Sequence, residues 1–96
     1  MKNEDETAVR NNENAGRYEI TVGGRLCIAD YTIENGKVIF THTLVPRELR
    51  GRGIAASLVR AALTDVRAKN LKVVPACSYV ANFIERHPEF RDLVLT

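Results

Sequence analysis

From Arg17 to Val22 the chain alternates, with Tyr18, Ile20 and Val22 on one side and Arg17, Glu19 and Thr21 on the other. That is the period of a half-buried strand. Gly23-Gly24 suits the positive φ angles of a tight two-residue hairpin loop. Arg25 to Ile33 returns with Cys27, Ala29, Tyr31 and Ile33 on one face. Leu26 and Ile28 point the other way, which predicts that both faces of the sheet are covered. Asn35-Gly36 is the strongest short hairpin signal in the chain. Lys37 to Val45 is then a third antiparallel strand, closed by Pro46. Its alternation sets Val38, Phe40, His42 and Leu44 on one face against Ile39, Thr41, Thr43 and Val45 on the other.

Beyond Pro46 the period changes. Ala55, Leu58, Val59, Ala62 and Val66 form one apolar stripe on a helix from Ile54 to Lys69, and Arg60, Asp65 and Arg67 mark its wet side. Asn70 suits the helix end. Leu71 to Pro75 is long enough only for a strand. A helical crossover makes that strand parallel to the third one, with a right-handed connection expected. Ser78 to Arg86 reads as a short second helix, with Val80, Phe83 and Ile84 as its apolar face and a stop at Pro88. Phe90 to Leu95 reads as a last edge strand. Residues 1–16 are polar and aperiodic, the pattern of a disordered leader. Residues 17–96 then make a single α/β domain, an α+β mixed sheet in the order β-β-β-α-β-α with a closing β.

Ninety-six residues with 45% hydrophobic content allow one small core. No apolar run approaches the ~20 residues of a membrane span, and the N-terminus lacks the pattern of a secretory signal, so a cytoplasmic address is expected. Cys27 and Cys77 are expected as free thiols in that compartment. The formal net charge of +2 is unevenly spread. Residues 46–72 hold Arg47, Arg50, Arg52, Arg60, Arg67, Lys69 and Lys72 against Glu48 and Asp65, a local balance of +5.

That charge surrounds Arg50-Gly51-Arg52-Gly53-Ile54-Ala55, a glycine-rich turn between the third strand and the first helix. The first N–H groups of a helix lack internal partners and the helix dipole adds positive potential there, so such a turn is a generic anion site. A phosphorylated ligand is the first inference. The P-loop is excluded, since no Gly-Lys-Ser/Thr sequence occurs. Gly51-x-Gly53-x-x-Ala56 matches the dinucleotide fingerprint in its alanine variant. Its context does not: hairpin-linked strands precede it, and no acidic residue stands ~20 positions on. A nucleic-acid surface is disfavoured, because the basic stretch has no interleaved aromatics for base stacking.

Arg50-x-x-Gly53-x-Ala55 resembles the pyrophosphate loop, R/Q-x-x-G-x-G/A, of the GNAT superfamily of acyl-CoA N-acyltransferases. The phrase from Leu44 to Ala55 resembles that superfamily's strand-loop-helix throughout. Across Tyr18 to Leu95 the chain is similar to the compact YjdJ-type members, through Phe40-Thr41-His42-Thr43, Val74-Pro75-Ala76-Cys77, Tyr79-Val80 and His87-Pro88-Glu89-Phe90. The resemblance implies a minimal GNAT-like fold and acetyl-CoA as acyl donor to an amine acceptor of unspecified kind. It implies that backbone amides of Arg50, Gly51, Arg52, Gly53, Ile54 and Ala55 hold the pyrophosphate, with charge from Arg50 and Arg52. It implies also that Leu44 and Val45 pair through their backbone with the pantetheine arm, in the manner of an added strand.

Two side chains carry the candidate chemistry. Cys77 follows the parallel strand and precedes the second helix, where the dipole and orphan amides favour a thiolate able to act as nucleophile or base. The family's cysteine position points to the same residue. His42 lies two residues before the pantetheine-pairing segment and suits proton transfer near neutrality, either from an incoming amine or in polarising Cys77. Cys27 reads as core and His87 as a partner of the second helix's C-terminus. The histidines and cysteines lack metal-ligand spacing, and no metal is expected. The sequence departs from larger GNAT enzymes in having no room for an N-terminal helical pair over the acceptor. Glu85 stands where those enzymes often carry a thiolate-protonating tyrosine, which leaves Tyr79 as the nearby substitute. These departures keep a rival reading open, a non-catalytic acyl-CoA-binding module or partner subunit.

Overall fold

The computed structural model describes residues 8–94. A five-stranded sheet runs in the order β1 (Arg10–Asn12), β2 (Arg17–Val22), β3 (Arg25–Glu34), β4 (Lys37–Leu44) and β5 (Lys72–Pro75). The first three pairings are antiparallel. Both tight turns form where their residues allow positive φ: Gly23 and Gly24 in one, Asn35 and Gly36 in the other. β5 joins β4 in parallel, from Lys37 opposite Lys72 to Phe40 opposite Pro75, after the crossover helix α1 (Ile54–Ala68). Helix α2 (Ser78–Arg86) follows β5. The chain thus has the mixed α/β architecture read from its sequence.

One core lies between the sheet and the helices. Leu58, Val59, Ala62, Leu63 and Val66 of α1 and Val80, Phe83 and Ile84 of α2 are buried in one cluster with Tyr18, Ile20, Cys27, Ala29, Val38, Phe40 and Val73. Tyr18 closes the seam to α1 by donating its hydroxyl to Asp65 Oδ2 at 2.7 Å, where Lys69 also donates at 2.8 Å. α1 ends as a Schellman turn. Asn70 takes φ 59°, the Leu71 amide reaches Val66 O at 3.1 Å, and the Asn70 amide reaches Arg67 O at 3.0 Å.

Three expectations are corrected. The first is the disordered leader: residues 1–7 lie outside the described residues, but Arg10–Asn12 pairs with β2 as a fifth strand. Polar contacts fasten it. Asn12 and Arg10 donate to Glu19 at 2.8 and 3.1 Å, and Asn11 Oδ1 accepts the Tyr31 hydroxyl at 2.6 Å. The second is the closing edge strand over Phe90 to Leu95. Pro88–Leu93 is a 3-10 helix, because Phe90 and Leu93 are buried three positions apart, the 3-10 repeat. Only Val94 bridges to Val73 in the sheet, and Leu95 lies outside the described residues. The third is the covering of both sheet faces. The two helices share one face, and among the described residues nothing covers the other, where Leu26 and Leu44 are 41% and 43% exposed. No helix among the described residues is long and apolar enough to cross a membrane.

Candidate functional site

Between β4 and α1 the chain makes a short 3-10 turn over Arg47–Leu49 and then the glycine loop. Gly51 and Gly53 sit at φ 84° and 77°, and Gly53 is the N-cap of α1 in left-handed geometry. A Cβ on either would meet nothing within 4 Å. The glycines therefore serve backbone shape and leave the space above the loop clear. Among the described residues, the N–H groups of Gly51, Arg52, Gly53, Ile54, Ala55 and Ala56 find no protein acceptor; the first helical hydrogen bond at this end is Ser57 N–H to Gly53 O, 3.0 Å. No side chain caps the helix and no acidic residue lies in its first turn. Unsatisfied amides at the positive end of a 15-residue helix are an anion site by construction.

Two details differ from the reading of the loop. The Arg50 amide is spent on Arg47 O at 3.2 Å, and Ala56 takes its place in the run of free donors. The Arg50 side chain turns back, its Nε donating to Val45 O at 3.0 Å, so it pins the loop to the end of β4. The loop, Val45, Leu49 and Tyr79 line a groove of about 200 Å³. That is below the ~300–1,000 Å³ of a complete ligand pocket and suits only the anionic part of a ligand. A roomier hollow of about 560 Å³ over Ser57, Arg60, Ala61, Thr64, Asp65 and Ala68 lies along the body of α1, where the backbone amides are bonded within the helix. Chemistry rather than volume selects the loop.

β4 and β5 part company beside this groove. Their register ends at Phe40 and Pro75, and the last link is the Cys77 amide donating to Phe40 O at 2.8 Å. From Thr41 to Leu44 the β4 edge has no β5 partner. Leu44 and Val45 thus stand at the open end of that edge, next to the glycine loop. Cys77 lies in the crotch of the split as N-cap of α2, half-buried. Its Sγ is 3.4 Å from Thr43 Oγ1. Burial opposes its ionisation, but the Thr43 hydroxyl and the amides of Val80, Tyr79 and Thr43 outweigh that and hold the thiol below its ordinary value. No cap hydrogen bond closes onto the neutral sulfur; the amides act on the charge. Cys27 is fully buried and shifted upward by burial, with Arg25 offsetting only part of that. The two thiols thus differ in kind.

His42 is not where alternation put it. The β3–β4 register slips between Asp30 and Tyr31, so that Tyr31 faces Phe40 while Asp30 faces His42, and Thr41 is the extra residue of a β-bulge. Phe40 faces the core, but beyond the bulge the parity reverses. Thr43 pairs with fully buried Ala29 on the helix side, whereas His42 is exposed on the uncovered face opposite Asp30. His42 is therefore across the sheet from the residue that touches Cys77, and it does not polarise that thiol directly. Leu44 shares the uncovered face, paired with Ile28. Sequence reasoning passed over Thr43, which alternation sets on the face opposite Phe40. A bulge leaves no mark on the hydrophobic pattern until the register is known. Tyr79 enters the groove wall and is about one-third exposed, its phenol held above the ordinary value by burial. His87 caps α2 through Nδ1 and Phe83 O, 2.7 Å apart.

Comparison with known proteins agrees with this geometry. A family model described as GCN5-related N-acetyl-transferase matches residues 17–93. Protein NATD1 of Bos taurus is 43% identical over 47 residues, 49% of this chain and 42% of that protein. Protein NATD1 of Danio rerio is 38% identical over 56 residues, 56% of this chain and 51% of that protein. The chain thus spans about half the length of the curated relatives it matches. The NMR solution structure of a GCN5-like protein from Staphylococcus aureus, described as a candidate N-acetyltransferase, superposes with a TM-score of 0.72 at 25% identity. The match covers 94% of this chain and 89% of that one.

Proposed function

Because the chain belongs to the GCN5-related N-acetyltransferase family, we propose that it transfers an acetyl group from acetyl-CoA to a primary amine. One observation carries this reading: the free amides from Gly51 to Ala56 adjoin a strand edge that opens beside Cys77. The loop donors fit a pyrophosphate, and the unpaired edge from Thr41 to Leu44 fits an amide-bearing arm laid along it as an added strand. Arg52 adds positive potential at the loop, and Arg50 holds the loop in place through Val45. When bound, acetyl-CoA supplies an acetyl group activated as a thioester. Cys77 is the candidate nucleophile or local base, its thiolate favoured by Thr43 and by the first amides of α2. His42, on the opposite face, takes the proton of the acceptor amine. Tyr79 keeps its proton in the groove and is the available donor there. Free thiols and acetyl-CoA as acyl donor both fit a cytoplasmic setting.

The test is release of coenzyme A from acetyl-CoA in the presence of primary amines, with Cys77→Ala alongside. Transfer that is abolished in Cys77→Ala while coenzyme A still binds supports a direct role for the thiol; normal turnover makes Cys77 structural. A second reading, a non-catalytic acyl-CoA-binding module, is favoured by the uncovered sheet face, which encloses no acceptor. It predicts saturable coenzyme A binding and no transfer to any amine.

A further inference from the structure

Among the described residues, the uncovered face of the sheet carries an acidic side chain, Asp30, that no cation pairs with. Asp30 stands between Arg17 of β2 and His42 of β4 in the cross-strand register. Arg17, the cation best placed to neutralise it, gives its Nε to Glu19 at 2.7 Å. Glu19 also holds Arg10 and Asn12, so it gathers the donors of that side of the sheet. Among the described residues, Asp30 forms no ion pair and its carboxyl group has no hydrogen bond; only its backbone carbonyl accepts one, from Thr41 Oγ1 at 3.4 Å. Asp30 is half-buried as a residue, and an acidic side chain there without a paired cation attracts one. One side of Asp30 is apolar: Ile28 lies two positions before it on β3, and Leu44, exposed, faces Ile28 from β4. The bulge at Thr41 brings His42 to this face, at the point where the β4 edge loses β5.

We propose that Asp30 is a specificity-determining residue that recognises the acceptor as an alkylammonium and delivers it to His42. The assignment rests on the acetyl-transfer reading for its consequence and on the unpaired carboxylate for its existence. The ammonium pairs with the Asp30 carboxylate while its carbon arm lies against Ile28 and Leu44. A proton passes from nitrogen to the His42 imidazole, and the freed lone pair is directed at the split between β4 and β5. The acyl carbon–sulfur bond breaks as the carbon–nitrogen bond forms, and the second proton that the nitrogen sheds balances the one taken up by the leaving sulfur. An amine that is uncharged at neutral pH gains nothing from Asp30.

Two measurements on the full chain decide this. In the first, acetyl transfer to n-butylamine, to a lysine within a terminally blocked peptide and to an uncharged hydrazide is compared in the wild type, Asp30→Asn and Asp30→Glu. The expected result for Asp30→Asn is a rise of roughly fivefold in KM for both charged acceptors, with kcat and coenzyme A affinity unchanged. KM for the hydrazide stays constant, and Asp30→Glu restores part of the loss. A rise for the peptide alone identifies a lysine on a larger partner as the source of the ammonium, and a rise for both identifies the alkylammonium itself. Equal KM values for variant and wild type, or an equal rise for the hydrazide, overturn the proposal. The second is an NMR titration with n-butylammonium in the presence of coenzyme A, which needs no turnover. Saturable shifts at Asp30, His42 and Leu44 that vanish in Asp30→Asn support the site even if no acetyl transfer is found, in which case the catalytic reading alone falls. Absence of such shifts in the wild type overturns it.

Discussion

Thr43 Oγ1 stands 3.4 Å from Cys77 Sγ, although simple alternation along β4 puts Thr43 on the far side of the sheet. A single extra residue, Thr41, reverses the parity of the strand after Phe40. The same slip sends His42 to the uncovered face and Thr43 to the helix side. One bulge therefore assigns the two candidate functional groups, thiol and imidazole, to opposite faces of the opening between β4 and β5.

Replacing Thr43 should be visible in the chemistry of Cys77. Thr43→Val removes a hydroxyl that favours the thiolate, so the Cys77 pKa rises. Its rate of alkylation by iodoacetamide at a fixed pH near neutrality falls several-fold, and Thr43→Ser retains most of the wild-type rate. Cys27, fully buried, reacts slowly in all three. An unchanged alkylation profile in Thr43→Val would show that the contact has no electrostatic consequence.

His42 should behave independently of that thiol. His42→Ala is expected to lower acetyl transfer about 10²-fold, the lower end for loss of a general base. The pH profile of Cys77 alkylation stays as in the wild type, since the sheet lies between them. A coupled change in that profile would place the two groups in contact.

The glycine loop makes a conformational prediction. Gly51 and Gly53 hold φ 84° and 77° with open space around them. Gly53→Ala therefore costs about 1–2 kcal/mol through backbone strain, not through a clash. Because the loop amides also lose their common direction, coenzyme A affinity should fall by roughly tenfold. Urea unfolding gives the first quantity and calorimetric titration the second.

Much of the scaffold was legible because turns and periods are local. Gly23-Gly24, Asn35-Gly36 and the stripe of α1 depend on residues close in sequence, and the strands and helices between them fall where those signals place them. What was missed depends on distant partners. β1 is written Arg-Asn-Asn and has no apolar period; it is a strand because Glu19 and Tyr31 receive its side chains. The end of the chain reads as a strand from composition, yet Arg67 binds Asp92 through two nitrogens at 2.8 and 2.9 Å and fixes a 3-10 turn. At the site, the loop could be read from its glycines and arginines. The positions of Thr43 and His42 required the register.

The polar cluster of β1 and β2 supplies an acid-dependent prediction. Hydrogen bonds from Arg17 and Asn12 first, with Arg10 adding to them against the opposing effect of burial, hold the Glu19 carboxyl at about 2, below its ordinary 4.5. The folded-state value is the lower one, so the unfolded chain binds more protons in between. The contribution of Glu19 is full above pH 4.5 and is lost as pH falls towards 2. Glu19→Gln should reduce stability at pH 7 by about 1–2 kcal/mol. Its urea midpoint should converge on that of the wild type through this window; a gap that persists at the lowest pH would contradict the assignment.

The account turns on the amides at the start of α1. A titration of the ¹⁵N-labelled protein with acetyl-CoA, followed by amide chemical shifts, tests it most directly. Saturable shifts should be largest at Gly51 to Ala56, should continue along the free edge of β4 from Thr41 to Leu44, and should leave Arg10 to Asn12 unmoved. No saturable binding, or binding whose shifts lie away from the glycine loop, would contradict it.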